Sequence, residues 1–141
     1  MKRLLITFAA LAVAAGCGGN DGPPVVATDV VVTAPDAGMP MAAGYLQIDN
    51  RSGSVIRITR VSSPEYGAVE MHETVVEDGI ARMRAIPVLE IANGETVVFE
   101  RGGKHLMLMQ PVGEPRTITL NFYSGDVLLL SVSADFTPAM E

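Results

Sequence analysis

Two histidines and two of the eight methionines stand in an ordered series: His72, ten residues, Met83, twenty-one residues, His105, one residue, Met107. Imidazole nitrogen and thioether sulfur are the donors on offer. Thioether sulfur is soft and selects Cu(I), and imidazole adds affinity without excluding a soft metal. Neither donor forms disulfides, and methionine needs no deprotonation, so the set suits an oxidising compartment where cysteine ligands are lost. Zinc fits poorly, because its usual ligands are cysteine, histidine and carboxylate. No serine, cysteine or carboxylate pair stands in a recognisable catalytic setting, so the pattern points to a metal binder rather than an enzyme.

These donors fall within a chain that reads as strands and turns from Val25 onward. The expected strands are Val25–Thr33, Gly44–Asn50, Val55–Val61, Val69–Val76, Ile80–Arg84, Thr96–Glu100, Lys104–Gln110, Arg116–Tyr123 and Val127–Ser133. Turn signals separate them at Ser52-Gly53, Asp78-Gly79, Asn93-Gly94, Gly102-Gly103 and Ser124-Gly125-Asp126. No segment has helical periodicity with caps. The class is all-β, and many short strands at this spacing argue for an antiparallel sandwich or barrel. With no tryptophan and few aromatics, valine, leucine and isoleucine must fill the core.

The turn at Asp78-Gly79 decides whether the first two donors can meet. A two-residue loop there pairs Glu77 with Ile80, Thr74 with Met83 and His72 with Ala85. Met83 then lies diagonal to His72 on one face, within reach of long side chains. A three-residue loop would reverse the parity. His105 and Met107 are two apart on a strand and so share a face. Two ribbons that approach each other could close one site from these pairs.

With these donors, the sequence resembles the periplasmic copper chaperone family that serves the CuA centre of cytochrome c oxidase. All four ligand positions of that family's pattern are matched, by His72, Met83, His105 and Met107. The segments Val69-Glu70-Met71-His72-Glu73-Thr74 and Gly102-Gly103-Lys104-His105-Leu106-Met107-Leu108-Met109 add to the likeness, which covers roughly residues 25–135, nearly all of the expected folded domain. The resemblance implies a cupredoxin-like antiparallel β-sandwich, a Cu(I) site near the surface and a copper-receiving partner. That partner would be cytochrome c oxidase subunit II or a thiol-containing assembly factor. Two departures stand out. The N-terminal strand region lacks the tryptophan that relatives often carry. The C-terminal tail offers only Met140 and not a His/Met-rich second site, so one copper site is expected.

The other candidate donors carry plainer expectations. Met109 shares a face with His105 but is expected to fill the core, as methionine commonly does, with a reserve role as ligand. Met71 points away from His72 and should pack. Met39 and Met41 flank Pro40 in an apparent loop and are read as loop methionines, an accessory copper patch being the alternative. Glu70 and Glu73 flank His72 and are read as solvated carboxylates, either of which could hydrogen-bond the imidazole. Gly102-Gly103 should make the turn that delivers His105.

The N-terminus reads as an export signal. Lys2 and Arg3 precede the apolar run Leu4 to Ala15, which is too short to cross a bilayer. The only cysteine, Cys17, follows Ala14-Ala15-Gly16, an arrangement that resembles a bacterial lipobox, with alanine at position 14 where leucine is preferred. Residues 1–16 are thus expected to be removed, Cys17 to be lipidated, residues 17–24 to form a Gly/Pro-rich tether and residues 25–141 the domain. The alternative is an ordinary cleavage site beside an incidental cysteine. The expected location is the periplasmic or other extracytoplasmic face of a membrane, held by the lipid. Loss of Lys2 and Arg3 leaves eight basic against sixteen acidic residues, a net charge of about −8. Such a surface repels nucleic acid and anionic headgroups. Two further readings share the fold: a metal-free scaffold or adhesion lipoprotein, and an electron-transfer cupredoxin. The second needs a cysteine thiolate, and none follows Cys17.

Overall fold

A computed structural model gives the structure of the protein and describes residues 22–34 and 39–137. The leader, Cys17, most of the tether and Met140 lie outside the described residues. Eleven strands and no helix make up the rest: β1 (Val25–Thr33), β2 (Met41–Asn50), β3 (Ile56–Ile58), β4 (Arg60–Ser63), β5 (Tyr66–Glu77), β6 (Ile80–Ala85), β7 (Leu89–Ile91), β8 (Thr96–Phe99), β9 (Lys104–Pro111), β10 (Thr117–Ser124) and β11 (Val127–Thr137). The all-β class expected from the turn spacing holds, and no described helix is long and apolar enough to cross a membrane.

Pairing runs in the order β4-β10-β11-β1-β2-β8-β9-β5-β6, with β2 also joined to β9 and β4 to β5. The last two links close the layers into a ring through β4, β10, β11, β1, β2, β9 and β5, leaving β6 as a free edge. Closure removes the open edges that an isolated sheet would present. Most pairings are antiparallel. Two are parallel: β1 with β11, through Val32 opposite Phe136, and β8 with β9, through Phe99 opposite Lys104.

Alternation explains the core. Along β2 every second residue is buried, from Ala42 through Leu46 and Ile48 to Asn50, while Ala43, Tyr45 and Gln47 face outward. Leu106 and Leu108 on β9 and Ile118, Leu120 and Phe122 on β10 are fully enclosed, as the period of two requires. Met71 joins this core at 5% exposure, on the face of β5 opposite His72.

One expected strand divides. Val55–Val61 breaks at Thr59, and the phase changes there: Ile56 and Ile58 are buried, then Val61 rather than Arg60. The reason is a change of sheet. β3 pairs with β7 in a separate two-stranded ribbon, whereas β4 joins β10 and β5. β7 itself is the one strand absent from the sequence reading.

Asn50 ties that ribbon to the body. It is fully buried, and its amide donates to the carbonyls of Ser54 at 2.7 Å and Ile91 at 2.8 Å. Its oxygen accepts from the Ser52 N–H and hydroxyl. Every hydrogen-bonding capacity used here is local to the turn or to β7, so the side chain acts as an internal clamp.

Candidate metal centre

The β5–β6 hairpin turns through Asp78 and Gly79, both with positive φ, 52° and 75°. That is the type I′ signature of a two-residue loop. Accordingly Thr74 faces Met83 and His72 faces Ala85, in the register that the dipeptide implies. Met83 lies on the edge strand with 64% exposure.

β9 lies on the other side of β5, and His105 is the direct partner of His72. Met107 falls opposite Glu70, one step along the same face. The turn before β9 is built by Gly102, at φ 77°, and by Gly103. The Gly103 carbonyl accepts the Thr74 N–H at 3.0 Å and faces His105 Nδ1 at 3.2 Å. One peptide oxygen thus fastens the turn to β5 and orients the ring of His105.

The two imidazoles are prepared differently. A carbonyl only accepts, so the neutral ring of His105 holds its proton on Nδ1 and leaves the Nε2 lone pair free. Nε2 of His72 lies 2.8 Å from the Glu70 carboxylate and donates to it. In the neutral ring its Nδ1 is then the nitrogen without a proton. That atom is buried and has no hydrogen-bond partner, alone in this respect among the side-chain nitrogens and oxygens of the described residues. A buried acceptor without a donor is costly unless something else fills it. The ring centroids stand 6.0 Å apart at an interplanar angle of 51°.

Beside His105 lies a shallow cavity of about 330 Å³. Met83, His105 and Met107 line it together with Thr74, Tyr45, Ala42 and Ala43, and with Met39 and Met41. His72 is not in its lining and reaches the group only through its place beside His105. No carboxylate lines the cavity, and the Arg101 guanidinium stands at its edge, 5.5 Å from the centre of the Tyr45 ring. Among the described residues no three of histidine, cysteine, aspartate and glutamate gather as a metal cage. Hard divalent ions want oxygen ligands; the lining brings no carboxylate, and its thioether and imidazole donors suit a softer ion.

The structure departs from the sequence reading at the minor donors. Met109 does not fill the core. It sits half-buried on the outward face, opposite Met41 on β2 and Ala68 on β5, because parity sends Leu106 and Leu108 inward. Met41 is the first residue of β2 and not a loop methionine. Glu70 engages His72 directly, while Glu73 approaches Lys104 at 3.9 Å. Tyr45 and Arg101 carried no signal as site residues, since nothing local in sequence links them to the donors.

Comparison with known proteins extends this picture. The protein CuI-DR1885 of Deinococcus radiodurans, solved in solution, superposes with a TM-score of 0.59 at 26% identity, covering 90% of this chain and 85% of that one. The copper-bound PCuAC domain from PmoF2 gives a TM-score of 0.59 at 18% identity, over 82% of this chain and 92% of the domain. The second likeness speaks for the fold alone. The uncharacterized protein RP573 of Rickettsia prowazekii (strain Madrid E) is 27% identical over 71 residues, which is 50% of this chain but only 39% of that protein. The family described as "Putative lipoprotein LpqE-like" matches residues 25–134, the span of the strands from β1 nearly to the end of β11. With a match over most of its length, the chain belongs to the LpqE-like family and carries the fold of PCuAC domains.

Proposed function

We propose that this protein is a Cu(I) carrier, with His72, Met83, His105 and Met107 as the ligands. The observation that carries the reading is the buried, unpartnered Nδ1 of His72, a residue directly across the ladder from His105, which itself lines a cavity with thioethers and no carboxylate. His72 would bind through Nδ1 and His105 through Nε2. Met83 and Met107 would supply the sulfurs. Glu70 and the Gly103 carbonyl hold the rings in the required tautomers, a service that also raises the basicity of the ligating nitrogens. Copper is cargo here, and the protein's work is to bind it, shield it and yield it. The exposure of Met83 favours release, because a ligand on an edge strand can be displaced by an acceptor without unfolding the barrel. CuI-DR1885, whose name records its Cu(I), supports the choice of metal.

In this reading the protein is exported, loses residues 1–16 and is held at the extracytoplasmic face of a membrane by a lipid on Cys17. The lipoprotein in the family's description supports the anchor. The recipient would be a copper-accepting protein such as the CuA subunit of cytochrome c oxidase or a thiol-containing assembly factor. The absence of any cysteine beyond Cys17 argues against electron transfer through a blue-copper site. Anaerobic titration with Cu(I) against a chromophoric chelator tests the binding: the chain should hold the metal against the chelator, and failure to compete at all would end the proposal.

A further inference from the structure

The cavity holds more sulfur than the proposed ligand set uses. Met39 and Met41 line it alongside Met83, Met107 and His105. They are held there by a tight turn over Pro40, in which the Met41 N–H donates to the Met39 carbonyl at 2.8 Å. Met41 is also the direct ladder partner of Met109, and the next outward pair along is Ala43 with Met107. Long side chains at directly opposed positions are within contact of each other. Ala43 is small, which leaves the way open from the Met41 end of the cavity to Met107. Met39 is 55% exposed, so packing does not account for it.

We propose that Met39 and Met41, in the lining of this cavity, form a second position for a soft monovalent cation together with Met109, which stands outside that lining and directly across the ladder from Met41. The inference rests on the Cu(I) reading for its choice of metal, and it revises the expectation of one site. All three donors are neutral thioethers, so they select for softness and not for charge. A second ion would feel the first through a short distance, and this repulsion makes the second position the weaker one. The acidic balance of the whole chain offsets part of it.

The test is a titration of the full chain, in detergent and labelled with ¹³C at the methionine methyls, with Ag(I) as the probe. Met71 is enclosed in the core and serves as the unresponsive reference. The expected result is two phases. The Met83 and Met107 methyls move with the first equivalent, and those of Met39, Met41 and Met109 with the second. The double variant Met39→Leu/Met41→Leu should lose the second phase and keep the first, with the Met71 signal unchanged as evidence of an intact core. The single variant Met39→Leu, at an exposed position, should weaken the second phase alone and covers the case in which the double variant misfolds. Methyls of Met39 and Met41 that stay as still as Met71 through the second equivalent would overturn the proposal. So would their moving together with Met83 and Met107 in a single phase, since there would then be one enlarged site. Movement of Met39 and Met41 while Met83 and Met107 stay still would uphold the second position and refute the main one.

Discussion

His72 and His105 face each other directly across the β5–β9 ladder, with ring centroids 6.0 Å apart and different nitrogens left free on each. The free atoms are Nδ1 of His72 and Nε2 of His105, fixed by Glu70 and by the Gly103 carbonyl. Long-range ¹⁵N–¹H spectra of the metal-free protein should therefore report an Nε2–H tautomer for His72 and an Nδ1–H tautomer for His105. Added Ag(I) should move the Nδ1 resonance of the first and the Nε2 resonance of the second. The same nitrogen responding in both rings would contradict the assignment.

Glu70 touches the proposed ligand His72 and would act on the metal only through it. Glu70→Ala should weaken Cu(I) binding by roughly 10-fold, the lower part of the range for losing a partner of a ligand, because this carboxylate is half exposed. Glu70→Gln, whose amide oxygen can still accept from Nε2, should recover most of the loss. Competition against a chelator measures both.

Asn50 supports the barrel and not the site. Its buried amide and oxygen serve Ser52, Ser54 and Ile91. Asn50→Ala leaves the buried carbonyl of Ile91 without this donor, a loss that costs about 1–3 kcal/mol. The melting temperature should fall while Cu(I) affinity, measured below the transition, stays at the wild-type value.

Glu65 links stability to pH. Burial opposes its ionisation, but hydrogen bonds from the Thr119 N–H and the Ser63 hydroxyl outweigh burial and set its pKa below the ordinary glutamate value. A carboxyl with a lowered native pKa binds its proton more readily when unfolded. Its contribution is therefore present above the ordinary glutamate pKa and is lost as pH falls through the native value. Denaturation curves from neutral to acid pH should show wild-type stability dropping more steeply than that of Glu65→Gln. Parallel curves would remove Glu65 from the account.

Much of the backbone placement of the candidate donors was legible because it is local. Asp78-Gly79 has both central residues in the left-handed region that a type I′ turn demands, so the pairing of Thr74 with Met83 could be counted off from the dipeptide. Alternation placed Met71 inward and His72 outward for the same reason. What was hidden depends on long-range pairing. Nothing near Met41 announces that β2 will lie against β9, so the meeting of Met41 with Met109 had no sequence signal. β7 spans three residues behind Pro87, too few for a period to register. Thr59 gave no warning that the chain changes sheets there, so the expected Val55–Val61 strand runs straight through the break.

If Met83 and Met107 are ligands, volume-conserving substitution should remove the metal and spare the fold. Leucine replaces methionine in a packed site at a cost usually under about 1.5 kcal/mol, yet it cannot coordinate a metal. Met83→Leu is at an exposed edge position and Met107→Leu at a half-buried one, so both metal-free variants should melt close to wild type. Each should lose Cu(I) affinity by at least the roughly 10–100-fold seen when only a ligand's supporting partner is removed. Met109→Leu should keep the affinity of this first, tight position. The measurement is anaerobic competition for Cu(I) against a chromophoric chelator, paired with a thermal melt of each metal-free variant. Wild-type affinity in both Met83→Leu and Met107→Leu would contradict the account, since the sulfurs would then be packing groups and the cavity something other than a copper site.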